Sequence, residues 1–115
     1  MRQFLGIRHR VQDYRKWKRA FDKEEELREA YGLRGGDVCR DMNDPLELTI
    51  MLECEDVGSA KEFMRSQEHR EAMRKAGVVG KPDTFFVEEV ERVLERFAQP
   101  EPAEVTWGES NCEDG

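Results

Sequence analysis

Two histidines are the side chains of this 115-residue sequence whose ordinary charge change falls near neutral pH, so they head the search for chemistry. His9 falls on an alternating stretch, QFLGIRHRV (residues 3–11), and shares a face with Leu5, Ile7 and Val11. If that face looks at the helices, His9 lies near Tyr14 and Trp17. There an imidazole could act as a general base or fix a ligand's polar group, with Tyr14 as its polar partner. The plainer reading is a ring held by a hydrogen bond at a strand–helix junction. Trp17, Phe21, Phe63 and Phe86, with Tyr14, could wall a pocket for a flat, aromatic or polyketide-like molecule. The same side chains at helical spacing are also what any core requires. His69 sits in the polar run Gln67-Glu68-His69-Arg70-Glu71 and is expected on the surface.

Other chemistries find less support. Arg8, Arg10, Arg15, Lys16, Lys18 and Arg19 gather near the start of the first helix, while Glu24, Glu25 and Glu26 lie toward its end. This opposes the helix dipole, at about 0.3–1 kcal/mol per poorly placed charge. An anionic ligand docked at the helix N-terminus would explain it; so would a solvated face with local pairs such as Lys18–Asp22 and Glu24–Arg28. Two histidines and three scattered cysteines offer no metal-ligand pair at usable spacing, and no cofactor is expected. Cys39 and Cys54 fall on adjacent strands but about five residues out of register, roughly 16 Å, too far for a disulfide. Gly35-Gly36 reads as a strand irregularity or bulge, not a phosphate loop. Nucleophile-elbow, Walker and dinucleotide patterns are missing.

The elements that must position these groups follow from periodicity. Residues 3–11 form the first strand, and Asp13 can cap a helix over about 13–31 whose stripe is Tyr14, Trp17, Phe21, Arg28 and Tyr31, with Gly32 as its left-handed stop. A second strand covers roughly 34–42, a turn sits at Asn43-Asp44-Pro45, and a third strand covers 46–55. Asp56 caps a second helical region with Ala60, Phe63 and Met64 inward. Ser66 restarts it as a short segment with Ala72, Met73 and Ala76 inward, and Gly77 ends it. After Pro82, residues 84–90 form a fourth strand. Val90, Val93, Leu94 and Phe97 suit a short closing helix, and Pro100 and Pro102 end it. The order β-α-β-β-α-β, with right-handed crossovers, predicts an α+β, ferredoxin-like fold: a four-stranded antiparallel sheet with helices on one face.

That fold has a bare side. Phe85 and Val87 point one way and Phe86 the other, and Met51 lies opposite Ile50 and Leu52. Two helices cover one face only, so the other would expose large apolar groups worth about 1.5–3 kcal/mol each when buried. A two-fold copy presenting the same face resolves this, and a homodimer is expected. Residues 1–97 read as the domain and 98–115 as a loose acidic tail, in which only Val105 and Trp107 could dock and Cys112 is a free thiol. The net charge of −7 is concentrated there: residues 97–115 carry five acidic and no basic side chains, leaving 19 basic against 21 acidic in residues 1–96. Such a body is a poor polyanion binder, which argues against nucleic acid. No apolar run is long enough to span a membrane, no signal-peptide pattern is present, and the odd cysteine count fits a reducing compartment, the cytoplasm.

The run His9-Arg10-Val11-x-Asp13-Tyr14-x-x-Trp17-Lys18, followed by Phe21-Asp22, resembles the opening of small dimeric α+β barrel proteins. Ser66-x-Glu68-x-Arg70-Glu71-Ala72-Met73 and Ala76-Gly77-Val78-x-Gly80-x-Pro82 resemble their later half. The likeness covers about residues 9–90, and its relatives are cyclase-like or antibiotic-biosynthesis-monooxygenase-like proteins of mixed function. The resemblance implies a ligand pocket between sheet and helices and, where monooxygenases are concerned, oxidation without metal or flavin. Their catalytic constellation does not map onto this chain residue by residue, so the fold transfers and the activity does not. The functional expectation is a small-molecule-binding homodimer with an enclosed cleft of a few hundred Å³ reached by His9. The rival is a non-catalytic structural or interaction dimer with a filled core.

Overall fold

Alternation in the first nine-residue stretch is realised as a central strand. β1 (Gln3–Val11) buries Leu5, Ile7, His9 and Val11 toward the helices and turns Arg8 and Arg10 to solvent. The computed structural model describes residues 1–93. Asp13 ends the strand, and its carboxylate accepts from the Lys16 N–H (2.9 Å), capping α1 (Tyr14–Lys23). The single helix expected over 13–31 is broken. Glu24 adopts a tight turn, its N–H donating to the Phe21 carbonyl (3.1 Å), and α2 (Glu25–Ala30) follows. Gly32, at φ 76°, makes the left-handed exit into β2 (Leu33–Arg40).

β3 (Glu47–Cys54) alternates as expected, burying Leu48, Ile50, Leu52 and Cys54. Asp56 caps α3 (Val57–Arg65) through the Ser59 N–H (2.8 Å). Ser66 then restarts the chain as α4 (Gln67–Lys75): its Oγ accepts from the His69 N–H (3.2 Å) and donates to the Phe63 carbonyl (2.8 Å). β4 (Val78–Glu88) begins six residues before the expected strand, and Pro82 lies within it rather than ahead of it. It is an edge strand, where a missing N–H is tolerated. Of the closing helix expected over 90–97, residues 90–93 have no regular structure, and the rest, with the tail, lies outside the described residues.

The sheet order is β2-β3-β1-β4, antiparallel throughout, with the helices on one face: the ferredoxin-like arrangement. Two irregularities matter. Between β2 and β3, Arg34 faces Glu53 and Asp37 faces Met51, so one extra residue is accommodated at Gly35-Gly36, the expected bulge. A side chain at position 36 (φ 124°) would collide with the Met51 carbonyl, so glycine is required there. Between β1 and β4, Arg8 faces Asp83 but Arg10 faces Val79, so β4 spends two extra residues opposite His9. Such bulges bend a strand away from its partner and open room beside it. The core between sheet and helices is built on Trp17, Phe63, Leu5, Leu33, Leu48 and Ile50.

Candidate functional site

His9 is 6% exposed and packs edge-on against Trp17, ring centroids 5.7 Å apart. Trp17 stacks on Phe21 (4.9 Å) in turn. The helix-facing register of β1 thus brings three of the expected site residues together. Two nitrogens in this group, His9 Nδ1 and Trp17 Nε1, are fully buried and have no hydrogen-bond partner. A buried polar atom left unpaired costs about 1–3 kcal/mol, so two on packed neighbouring rings mark a place where a partner belongs. Burial pushes the His9 imidazole below its ordinary value; the residue's own backbone opposes the shift, the nearby His69 adds to it, and Glu47 opposes it weakly.

The side chain missed by sequence reasoning is His69. It is buried at 7% exposure, not on the surface, and its Nδ1 lies 2.9 Å from Glu24 Oε2, itself at the break between α1 and α2. The Ser66 cap fixes the backbone of His69 three residues into α4, and the Phe63 ring lies 4.3 Å from its own. The Glu24–Arg28 pair expected along the helix does not form, because Glu24 turns to His69. Arg28, also buried, donates to the Phe21 carbonyl (2.7 Å) with its guanidinium over the Phe21 ring (3.8 Å). Among the described residues it pairs with no carboxylate. Burial lowers its basicity, partly offset by Glu24 and its acidic neighbours.

These groups surround one interior cavity. His9, Trp17, Phe21, Glu24, Arg28 and His69 line it, and its volume is about 20 Å³, room for roughly one water rather than the few hundred Å³ expected. Two larger grooves share parts of its wall. Met64, His69, Met73, Val78 and Pro82 also border an open groove of about 480 Å³ between α4 and β4, beside the β4 register shift. On the opposite side Phe21, Arg28 and Leu52 border a second groove of about 300 Å³ beside the Gly35-Gly36 bulge. His69 therefore borders both the groove and the interior cavity, and His9 the cavity but not that groove.

The remaining expected residues are distributed differently. Phe63 lines the cavity, fully buried. Tyr14 packs on Trp17 (5.9 Å) but borders a separate notch with Val38 and Leu48. Phe86 packs on the core edge beneath the Lys61 ammonium (5.9 Å) and does not border the cavity. The basic run is split: Arg8 and Arg10 point to the bare sheet face and pair with Glu47 and Asp44, while Lys18 pairs with Asp22 (2.6 Å) on α1. No group of three or more metal-ligating side chains occurs among the described residues, and no described helix is long and apolar enough to cross a membrane.

The strand order and the helices on one face define the class of fold, a ferredoxin-like α+β arrangement that this chain shares with antibiotic-biosynthesis-monooxygenase-like proteins among solved structures. Among solved structures, a Bordetella bronchiseptica protein described as an antibiotic biosynthesis monooxygenase superposes with a TM-score of 0.64 at 17% identity, over 79% of this chain and all of that one. SnoaB, a cofactor-independent oxygenase from Streptomyces nogalater, gives 0.62 at 8% identity over 82% and 98%. The ActVA-Orf6 monooxygenase of Streptomyces coelicolor, solved with the ligand nanaomycin D, gives 0.59 at 15% identity over 82% and 92%. At these identities the likeness is one of fold. No family model matches the chain, and the comparison with curated proteins found no match.

Proposed function

We propose that this protein is a small-molecule-binding homodimer whose interior cavity receives a flat aromatic ligand through the α4–β4 groove. The observation that carries the reading is the pair of unpartnered buried nitrogens, His9 Nδ1 and Trp17 Nε1, beside one cavity. Trp17, Phe21 and Phe63 supply flat apolar walls, and Met64 and Met73, unbranched and adaptable, separate groove from interior. His9 acts as base or anchor, and Tyr14 buttresses Trp17. Isomerase-, cyclase- or cofactor-free-oxygenase-like chemistry suits such a site, and nanaomycin D bound to ActVA-Orf6 is a precedent for a small-molecule ligand in this fold. The second copy docks on the bare sheet face, where Phe85, Val87 and Val79 are 40–44% exposed. Arg8–Glu47 (3.5 Å) and Arg2–Glu53 (3.3 Å) form a polar rim there. The unpaired thiols of Cys39 and Cys54 fit a reducing compartment, the cytoplasm.

The rival, a non-catalytic structural or interaction dimer, draws on the small volume beside His9. Intrinsic fluorescence separates the two. In a Trp107→Phe background Trp17 is the sole tryptophan. Titration with β-tetralone, a neutral bicyclic ketone, and with naphthoate, its anionic counterpart, is expected to change Trp17 emission saturably and raise Tm. No saturable change and no thermal shift with either probe would move the conclusion to the rival.

A further inference from the structure

The α4–β4 groove is one-signed in charge. Residues 1–96 are nearly balanced, with 19 basic against 21 acidic side chains. Yet Arg70, Arg74 and Lys81 border this groove and no carboxylate does. Arg74 is held by Glu71 on its own helix. Arg70 and Lys81, both exposed, pair with no acidic side chain among the described residues. Below that rim Met64, Met73, Val78 and Pro82 are only half-buried and form an apolar floor. Two unbranched thioether side chains adapt readily to a flat ring. An apolar floor inside a cationic rim fits an aromatic side chain flanked by carboxylates. The open groove between α1 and α4 is a poorer host, because Glu68 and Glu71 stand beside its lysines.

The sequence holds such a segment. Residues 101–109 carry Glu101, Glu104 and Glu109, no basic side chain, and Trp107, the one aromatic residue after Phe97. The tether is long enough. Thr84 borders the groove, and five residues later the Glu89 N–H donates to the Arg2 carbonyl (2.8 Å) at the end of the sheet. That is about 17 Å along the strand. Trp107 follows Glu89 by 18 residues, a stretch whose greatest reach is about 60 Å. We propose that the α4–β4 groove is the docking site of this chain's own acidic segment, residues 101–109. Trp107 sits on Met64 and Met73, and Glu104 and Glu109 face Arg70 and Lys81. Tethering makes the docking intramolecular, so modest contacts suffice. Met64, Met73 and Pro82 also wall the inner cavity. Ligand entry through the groove then requires release of the segment, a consequence that rests on the ligand-binding reading above.

The test is carbon-13 methyl NMR of the full chain labelled at methionine. The Met64 and Met73 methyl resonances are expected to carry ring-current shifts that Trp107→Ala removes. Met42, almost fully exposed, should not respond. Reversing the rim with Arg70→Glu and Lys81→Glu, both at exposed positions, should abolish the same shifts. Adding Glu104→Lys and Glu109→Lys to that protein should restore them, which a general change in fold would not do. Met64 and Met73 resonances that ignore Trp107→Ala overturn the docking. Shifts that survive the reversed rim, or that the reversed segment fails to restore, overturn it as well. So would shifts that appear when labelled Trp107→Ala is mixed with unlabelled wild type, since the groove would then hold the segment of a second copy. The measurement contains no ligand, so its failure leaves the ligand-binding reading standing.

Discussion

The ring of Phe85 occupies the space a side chain at position 6 would need: a Cβ built on Gly6 falls 2.2 Å from Phe85 Cζ. The two residues face one another across β1 and β4 on the side of the sheet away from the helices. Glycine is a poor strand residue by about 0.5–1 kcal/mol relative to alanine, so it survives here because an aromatic ring lies over it.

This relationship predicts a change of sign. Gly6→Ala in the wild-type protein forces the Phe85 ring aside and should destabilise by about 1 kcal/mol, the low end for overpacking. In a Phe85→Ala background the same substitution no longer meets the ring and should stabilise by about 0.5 kcal/mol. Urea midpoints for the four proteins of the cycle measure the coupling. Equal effects in the two backgrounds would remove the ring from its assigned place.

Ser66 should be worth more to the site than to the fold. Ser66→Ala removes the acceptor for the His69 N–H and the donor to the Phe63 carbonyl, for a stability loss of about 1 kcal/mol by denaturation. Because those bonds set where α4 begins, the variant should also weaken β-tetralone binding at temperatures where it remains folded. Ser66→Thr, which can cap the same N–H, should retain most of both.

His9 sets a pH dependence with a definite sign. Its folded-state value is lowered, so the native protein resists the proton that the unfolded chain accepts near pH 6.5. Stability from this group is therefore full above about pH 6.5 and is lost as the pH falls toward the depressed native value. Urea midpoints one unit either side of about pH 6.5 should fall more steeply on acidification for wild type than for His9→Gln. A variant with the same slope as wild type would assign the dependence to other groups.

Much of the architecture was legible because backbone requirements leave local marks. The alternation of Leu5, Ile7, His9 and Val11, the caps Asp13, Asp56 and Ser66, and the glycine exits at Gly32 and Gly77 all stand in the structure. The irregularity at Gly35-Gly36 was legible too, and the structure shows it as a shift in the β2–β3 register. The site was half legible. His69 was read as exposed for its polar neighbours, yet positions 69, 72, 73 and 76 are spaced as one helix face, and His69 opens that stripe. Glu24 falls between Phe21 and Arg28 on the inward stripe of the first helical region and was passed over for its charge. A buried polar pair looks like two surface residues until the partner, 45 positions away, is placed beside it. Pro82 hid the start of β4 for a related reason: it reads as a boundary, but an edge bulge accommodates it.

The bare sheet face carries the last prediction. Phe4 and Val87 face one another there, next to Phe85 and Gly6, so the apolar patch lies toward the Gln3–Glu88 end of the β1–β4 ladder, between Arg2 and Arg8 with their acidic partners. A two-fold partner applied to this face would bury Val87 from both copies, so a single substitution acts twice. Val87→Glu brings like charges together in the centre of the interface, a juxtaposition that costs several kcal/mol. Sedimentation equilibrium should give twice the chain mass for wild type and the single-chain mass for Val87→Glu, with unchanged far-ultraviolet circular dichroism. Glu68→Lys, at an exposed position on α4 remote from the patch, should leave the dimer intact. A wild-type monomer at tens of micromolar, or a Val87→Glu dimer, would move the interface elsewhere and leave Phe85 and Val87 exposed for another reason.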